Sequence, residues 1–210
     1  MIRVISVDDH AVVRRGVRQL LSDTVDIALA GEAKDAGEML RLLQSEPCDV
    51  LLLDITMQGK DGLSLLREIK DRWPRIAVIM LTMHPADQYA IRALRAGASG
   101  YVGKDSMPEE LINAIRKVAT GVRHVPPAMV ELLAAQFEAG EEKPPHEMLS
   151  DREFAVLCRI GAGKSVSQIA EELFLSTNTV STYRTRILSK LKLTHTVELM
   201  HYAVSHGLKG

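Results

Sequence analysis

The sequence predicts two folded units in series: an α/β domain built on a five-stranded parallel, doubly wound sheet, and after it a small all-α domain of four helices. Three observations carry that expectation. Over residues 1–121, short apolar runs alternate with stretches of helical period, which is the pattern of successive βα units. Some of those runs, such as Val50-Leu51-Leu52-Leu53, are apolar without alternation, as strands are when helices cover both faces of a sheet. After residue 149 the strand pattern stops and helix start signals recur instead.

Taken in order, the runs Ile2–Val7, Ile27–Ala30, Val50–Leu53, Ile76–Leu81 and Ser99–Val102 read as the five strands. Helical spacing lies between and after them in Val12/Val13/Val17/Leu20/Leu21, Met39/Leu42/Leu43, Leu63/Leu66/Ile69, Ile91/Leu94 and Leu111/Ile115/Val118. The pattern breaks after Gly121 into HVPP, a helical stretch near 127–139 and the proline-bearing AGEEKPPHE, so residues 122–148 read as a linker, partly helical. Four helices follow. Ser150 and Glu153 form a capping box with Leu149 and Phe154 as its hydrophobic staple, and Ser165 with Gln168 forms a second box. Ser176 can cap the third helix, and Gly207 is placed to end the last, Val197–His206.

With 46% hydrophobic and 25% charged residues, the chain falls outside the disordered and disulfide-rich classes. MIRVISVDDH reaches two carboxylates before any apolar run could act as a signal peptide, and no stretch approaches the ~18 uncharged residues of a membrane span. The expectation is a cytoplasmic protein without a membrane partner. Cys48 and Cys158 have no metal-ligand spacing and read as two reduced buried thiols. The net charge of −1 hides an asymmetry, because residues 150–210 alone are basic, with eight Lys and Arg against five Asp and Glu. That suits a polyanion, and equally a solvated surface.

In a parallel α/β sheet, ligands bind beyond the carboxyl ends of the strands. Here the first run ends at Asp8-Asp9, the third at Asp54, the fourth at Thr82 and the fifth shortly before Lys104. Any one of these alone reads as a turn or cap residue. Together they describe a site: three converging carboxylates repel each other unless a cation joins them, and hard oxygen ligands select Mg²⁺. Mg²⁺ typically bridges to phosphate oxygens, Lys104 and Thr82 can hold the other oxygens of a transferring phosphoryl group, and Asp54 is placed as the nucleophile of an acyl phosphate.

The motifs SVDDH, LLLDITMQGKDG, IMLTMH and GYVGKD, in that order over residues 1–121, resemble the receiver domain of bacterial two-component response regulators. The resemblance implies a flavodoxin-like fold in which Asp54 accepts phosphate from a histidine kinase. It further implies that Asp8 and Asp9 organise Mg²⁺ with Asp54 and the backbone carbonyl of Thr56, that Thr82 and Lys104 contact the phosphoryl group, and that Tyr101 is a switch aromatic; a half-buried strand filler is the other reading of Tyr101. Two positions depart from the pattern: Gln58 stands where a proline is usual, and Asp105 rather than proline follows Lys104. Neither removes a reacting group. His84 could orient a water or be an ordinary loop histidine.

In residues 178–191, Val180, Tyr183, Ile187 and Leu191 make one apolar helix face. The opposite face gathers Asn178, Ser181, Thr182, Thr185, Arg186 and Ser189. A solvated helix would favour Glu, Lys and Gln, which have better helix propensity, so the hydroxyl-rich face suggests contact with another surface. With a helix Val166–Phe174 before it and the turn Leu175–Thr177 between, the arrangement reads as a helix-turn-helix. From LSDRE through GKSVSQIAEELFLSTNTVSTYRTRILSKL to AVSHGL, residues 149–208 resemble the LuxR-type domain of NarL/FixJ-class response regulators, and the domain is taken as 149–210. Such domains commonly carry a lysine where this chain has Ser181, so Arg184, Arg186, Lys190 and Lys192 remain for phosphate contacts and base readout falls to Asn178, Ser181, Thr182 and Thr185. The resemblance also implies pairing of two copies on double-stranded DNA through the last helix, whose other reading is to close the domain core. Its partners would be a cognate histidine kinase, DNA, a second copy of the chain and, as an open possibility, RNA polymerase.

Two other readings compete. Asp54-Ile55-Thr56 with a metal and a lysine is similar to aspartate-nucleophile phosphatases, but that class wants a second acid at the position of Thr56 and leaves residues 149–208 without a purpose. A receiver that only docks proteins would have no need of the acidic set. The expectation is therefore a transcription factor, not an enzyme beyond its own phosphoryl transfer and slow self-hydrolysis.

Overall fold

The computed structural model describes residues 1–55, 57, 62–82, 88–105, 108–126, 129–130 and 144–208. The chain divides into two compact units, Met1–Leu133 and Ala134–Gly210. In the first, strands β1 (Ile2–Val7), β2 (Ile27–Ala33), β3 (Val50–Asp54), β4 (Ala77–Thr82) and β5 (Gly100–Gly103) alternate with helices α1 (Ala11–Ser22), α2 (Ala36–Ser45), α3 (Gly62–Arg72), α4 (Gln88–Arg95) and α5 (Glu109–Ala119). All pairings are parallel and the strand order is β2-β1-β3-β4-β5. The doubly wound α/β class read from the sequence is the class observed.

The continuous apolar runs explain the layering. Every residue of β3 is buried. One face of the sheet, through Val4, Val50, Leu52, Ile79, Leu81 and Val102, packs on Val17 and Leu21 of α1 and Leu111, Ala114, Ile115 and Val118 of α5. Successive strand residues point to opposite faces, so Leu51, Leu53, Met80 and Tyr101, all buried, point to the other. Gly97 and Gly121, at φ 100° and 85°, supply the left-handed turns after α4 and α5 that side chains rarely adopt. Beyond α5 the chain lies along β5: His124 N–H donates to Ser99 O at 2.9 Å and Tyr101 N–H to His124 O at 3.3 Å.

In the second unit a 3₁₀ turn (Pro145–Met148) leads into α6 (Asp151–Gly161), α7 (Val166–Glu172), α8 (Thr177–Leu191) and α9 (Thr196–Ser205). Both capping boxes, Ser150/Glu153 and Ser165/Gln168, form, and Ser176 caps α8 by accepting from Thr179 N–H. Leu149 and Phe154 are buried. Gly207 ends the last helix at φ 69°. The first helix of the pair is shorter than its apolar spacing suggests, because Phe174 adopts φ 53° and closes α7 with bonds from Phe174 N–H to Glu171 O and from Leu175 N–H to Ala170 O. That double closure is the glycine-favoured helix stop, made here by an aromatic residue that a propensity argument does not anticipate. At Gly161 a β-carbon would lie 2.6 Å from Ala203 Cβ and from Leu208 O, so α6 and α9 approach as closely as they do only through the missing side chain.

Candidate functional site

The strand ends do what the sequence reading required of them. In the register, Val7 lies opposite Leu53, Asp54 opposite Leu81 and Thr82 opposite Gly103, so β1, β3, β4 and β5 end level with one another. Asp8, Asp54 and Thr82 are 0%, 1% and 0% exposed. Lys104 reaches across: its Nζ lies 2.6 Å from Asp8 Oδ2 and 3.0 Å from Asp54 Oδ2, and its backbone N–H donates to Thr82 O at 2.7 Å. A carboxylate withdrawn from water is costly unless paired. One ammonium against Asp8, Asp9 and Asp54 leaves two negative charges.

Each of Asp8, Asp9, His10 and Asp54 places a ligand atom within 4.8 Å of the others. The donor set, carboxylate oxygens with excess negative charge, fits a hard divalent cation. His10 went unassigned in the sequence, although it stands in the same SVDDH run. Its Nδ1 is 2.7 Å from Asp9 Oδ1 and 3.3 Å from Asp8 Oδ1. Gly62 is the second residue missed. A β-carbon there would sit 2.8 Å from Asp54 O and Ile55 Cα, so α3 can begin against the end of β3 only where no side chain intervenes. The signal was the glycine closing LLLDITMQGKDG.

Thr56, Gln58 and His84 lie outside the described residues, as does most of the expected linker. Tyr101 is 1% exposed, a fully buried aromatic, not the half-buried filler entertained from the sequence. Of the cysteines, Cys158 is buried and Cys48 only half-buried; burial pushes the Cys48 thiol up to about 12, which leaves it inert as a nucleophile.

On α8 and at its C-cap Lys192, Asn178, Thr182, Thr185, Arg186 and Lys192 are exposed, while Ser181, Tyr183 and Arg184 are half-buried. Val180, Ile187 and Leu191 are buried on the other face. Thr182 Oγ1 donates to Asn178 O at 2.9 Å and Thr185 Oγ1 to Ser181 O at 3.1 Å, so both hydroxyls bond back to the preceding turn and present methyl groups and lone pairs outward. Lys190 differs from the other cations: its Nζ donates to Glu153 Oε2 at 2.6 Å, tying α8 to the α6 capping box. Burial works to raise the Glu153 carboxyl, but the bonds from Lys190 and Ser150 outweigh it and hold the group below the usual glutamate range. On α9, Val197, Met200 and Val204 form an exposed apolar stripe. His146, from the 3₁₀ turn, is buried with its Nδ1 3.0 Å from Tyr202 Oη and its ring against Phe154 and His206. No helix among the described residues is long and apolar enough to cross a membrane.

Residues 4–116 match the response regulator receiver domain family, and residues 147–203 match the bacterial regulatory proteins of the luxR family. The response regulator UvrY of Escherichia coli (strain K12) is 37% identical over 209 residues, 99% of this chain and 96% of that one. The response regulator GacA of Pseudomonas aeruginosa is 37% identical over 209 residues, 99% and 98% of the two chains. Among solved structures, RcsB from Salmonella enterica serovar Typhimurium, bound to promoter rprA in the presence of the phosphomimetic BeF₃⁻, superposes with a TM-score of 0.59 at 27% identity, over 98% of this chain and 99% of that one.

Proposed function

Since the chain belongs to the two-component response regulators of the NarL/FixJ class, with a receiver domain and a LuxR-type domain, we propose that phosphoryl transfer to Asp54 controls how residues 149–210 engage double-stranded DNA. The observation that carries this reading is the meeting of Asp8, Asp54 and Lys104 at the ends of three different strands. In the transfer, an Asp54 carboxylate oxygen attacks phosphorus on a kinase phosphohistidine, the P–N bond breaks, and its electron pair stays on the imidazole nitrogen. Lys104 and Thr82 hold the phosphoryl oxygens as charge redistributes. Asp8, Asp9, Asp54 and the carbonyl of Thr56 would hold Mg²⁺, which neutralises charge on the reacting group when bound. Tyr101 serves as the switch side chain on the sheet face opposite α1 and α5.

Beside Lys104 a groove of about 290 Å³ is lined by Val13, Gly16, Val17, Leu20 and Pro108. With Val12 83% exposed on the same helix, it gives the kinase an apolar docking surface next to the reacting carboxylate. RcsB is described on promoter DNA, and here Asn178, Ser181, Thr182 and Thr185 are proposed to read bases while Arg184, Arg186 and Lys192 meet phosphates. Lys190 joins them only by leaving Glu153. Two copies pair through the α9 stripe, in a cytoplasmic setting, and RNA polymerase is a further partner on DNA. The domain limits proposed are 1–121 and 149–210, the second preceded by the 3₁₀ turn that carries His146.

The test compares DNA affinity of a fragment, the full chain and the full chain phosphorylated by acetyl phosphate with Mg²⁺, at one salt concentration because the electrostatic term is steep in salt. The fragment should start at residue 144, since His146 is part of the second unit's core. Phosphorylation should tighten binding by the full chain and leave the fragment unchanged. A folded fragment that binds no DNA would sink the assignment, and rapid turnover of small phosphomonoesters would restore the phosphatase reading.

A further inference from the structure

Residue 10 is the N-cap of α1, a place where Ser, Thr, Asp or Asn would accept a bond from the first turn. His10 makes no such bond. Its ring instead turns back on the acid pair, with Nδ1 2.7 Å from Asp9 Oδ1 and 3.3 Å from Asp8 Oδ1. Asp8 and the backbone at residue 10 are held together: His10 N–H donates to Asp8 Oδ1 at 2.8 Å, and the Arg14 guanidinium donates to Asp8 O at 2.7 Å. The ring is 65% exposed, so core packing does not explain it.

Resting on the metal-centre reading above, we propose that His10 supplies a nitrogen donor to the Asp8, Asp9 and Asp54 centre when it takes a borderline first-row cation such as Co²⁺ or Zn²⁺, whereas Mg²⁺ is held by the oxygens alone. The separations support it. Two donors each about 2.1 Å from one ion stand about 3 Å apart at a right angle and about 3.4 Å apart at a tetrahedral angle; His10 Nδ1 lies 3.3 Å from Asp8 Oδ1, inside that range, and 2.7 Å from Asp9 Oδ1, which a small turn of the exposed ring brings into it. Asp8 divides its oxygens, Oδ1 toward His10 and Oδ2 toward Lys104, so a cation on the Oδ1 side shares Asp8 with the lysine without displacing it. An all-oxygen set suits Mg²⁺, whereas imidazole shifts preference toward Co²⁺, Ni²⁺ and Zn²⁺.

Calorimetric titration of the full chain with Co²⁺ and, separately, Mg²⁺ tests this in the wild type, His10→Ala, His10→Gln and Asp9→Asn. Asp9→Asn removes the centre and separates its Co²⁺ from any held by the other six histidines. The expected result is a loss of at least about tenfold in Asp9-dependent Co²⁺ affinity in both His10 variants, of the size seen when a metal site's supporting groups are removed. Mg²⁺ affinity should move by less than about twofold. Equal losses for both ions, or no loss for Co²⁺, would overturn the role of His10 while leaving the metal centre standing. Binding of neither ion in an Asp9-dependent way would overturn the metal centre itself, and this inference with it.

Discussion

The acid centre and the outer face of α8, both proposed to meet phosphate, are built by opposite means. The centre takes Asp8, Asp54, Thr82 and Lys104 from the ends of four strands and withdraws them from water, with Lys104 pinned between two carboxylates. The α8 face is written into one helix of 15 residues, and its Arg186 and the C-cap Lys192 stand in solvent. A charge changed in a low-dielectric pocket alters energies far more than the same change at a wet surface, where screening leaves each contact small. Substitutions in the centre should therefore act nearly all-or-none, and those on α8 in increments.

The sharpest break of that contrast is Asp54→Ala, which should abolish acid-stable, base-labile labelling by acetyl phosphate with Mg²⁺; labelling equal to wild type would place the nucleophile elsewhere. Next is Gly62→Ala. Its β-carbon meets Asp54 O and Ile55 Cα at 2.8 Å, so the end of β3 must shift, with a stability loss of about 1–3 kcal/mol, the usual cost of overpacking. The labelling rate should fall at least about tenfold. Denaturant unfolding and labelling of the purified variant check both, and an unchanged rate would show that the acceptor backbone yields without consequence.

On α8 the effects should be smaller and separable. Thr182→Ala and Thr185→Ala should each weaken specific binding by about 1–3 kcal/mol and barely alter binding to random DNA, since base contacts specify. Lys192→Ala should weaken both alike and lower the salt slope by about 1. Parallel losses on both DNAs for all three variants would mean that the face reads no bases.

The smallest effect tests the one place where the exposed face is tied to a buried group. In Glu153→Gln the capping box can persist but the Lys190 pair cannot, so random-DNA affinity should rise with a salt slope about 1 larger. The sign with pH follows from the lowered Glu153 carboxyl. Its stabilisation is fully present above the ordinary glutamate value of about 4.3 and is lost as pH falls through the lower folded-state value. The 144–210 fragment should thus lose melting temperature on acidification over that window, and Glu153→Gln should lose less of it. Identical acid profiles would remove Lys190–Glu153 from the account.

Local pattern made much of this molecule legible. Apolar runs and helical spacing are properties of neighbouring residues, so they gave all five strands, their order of appearance and the capped starts of α6, α7 and α8, because a cap is a contact over three residues. Acidic and basic residues after the strand runs could be collected as one site for a similar reason: strand ends of a parallel sheet share an edge whatever the sequence distance. What the sequence could not decide depends on distances that no local rule contains. The pairing of Lys190 with Glu153 spans 37 residues, the clearance at Gly62 depends on how α3 meets β3, and the turn of His10 toward carboxylates rather than its own helix depends on where Asp8 is held. Phe174 at φ 53° goes against local preference outright. In each case the backbone was placed by the packing of whole elements, and the side chain took the partner that this placement brought within reach.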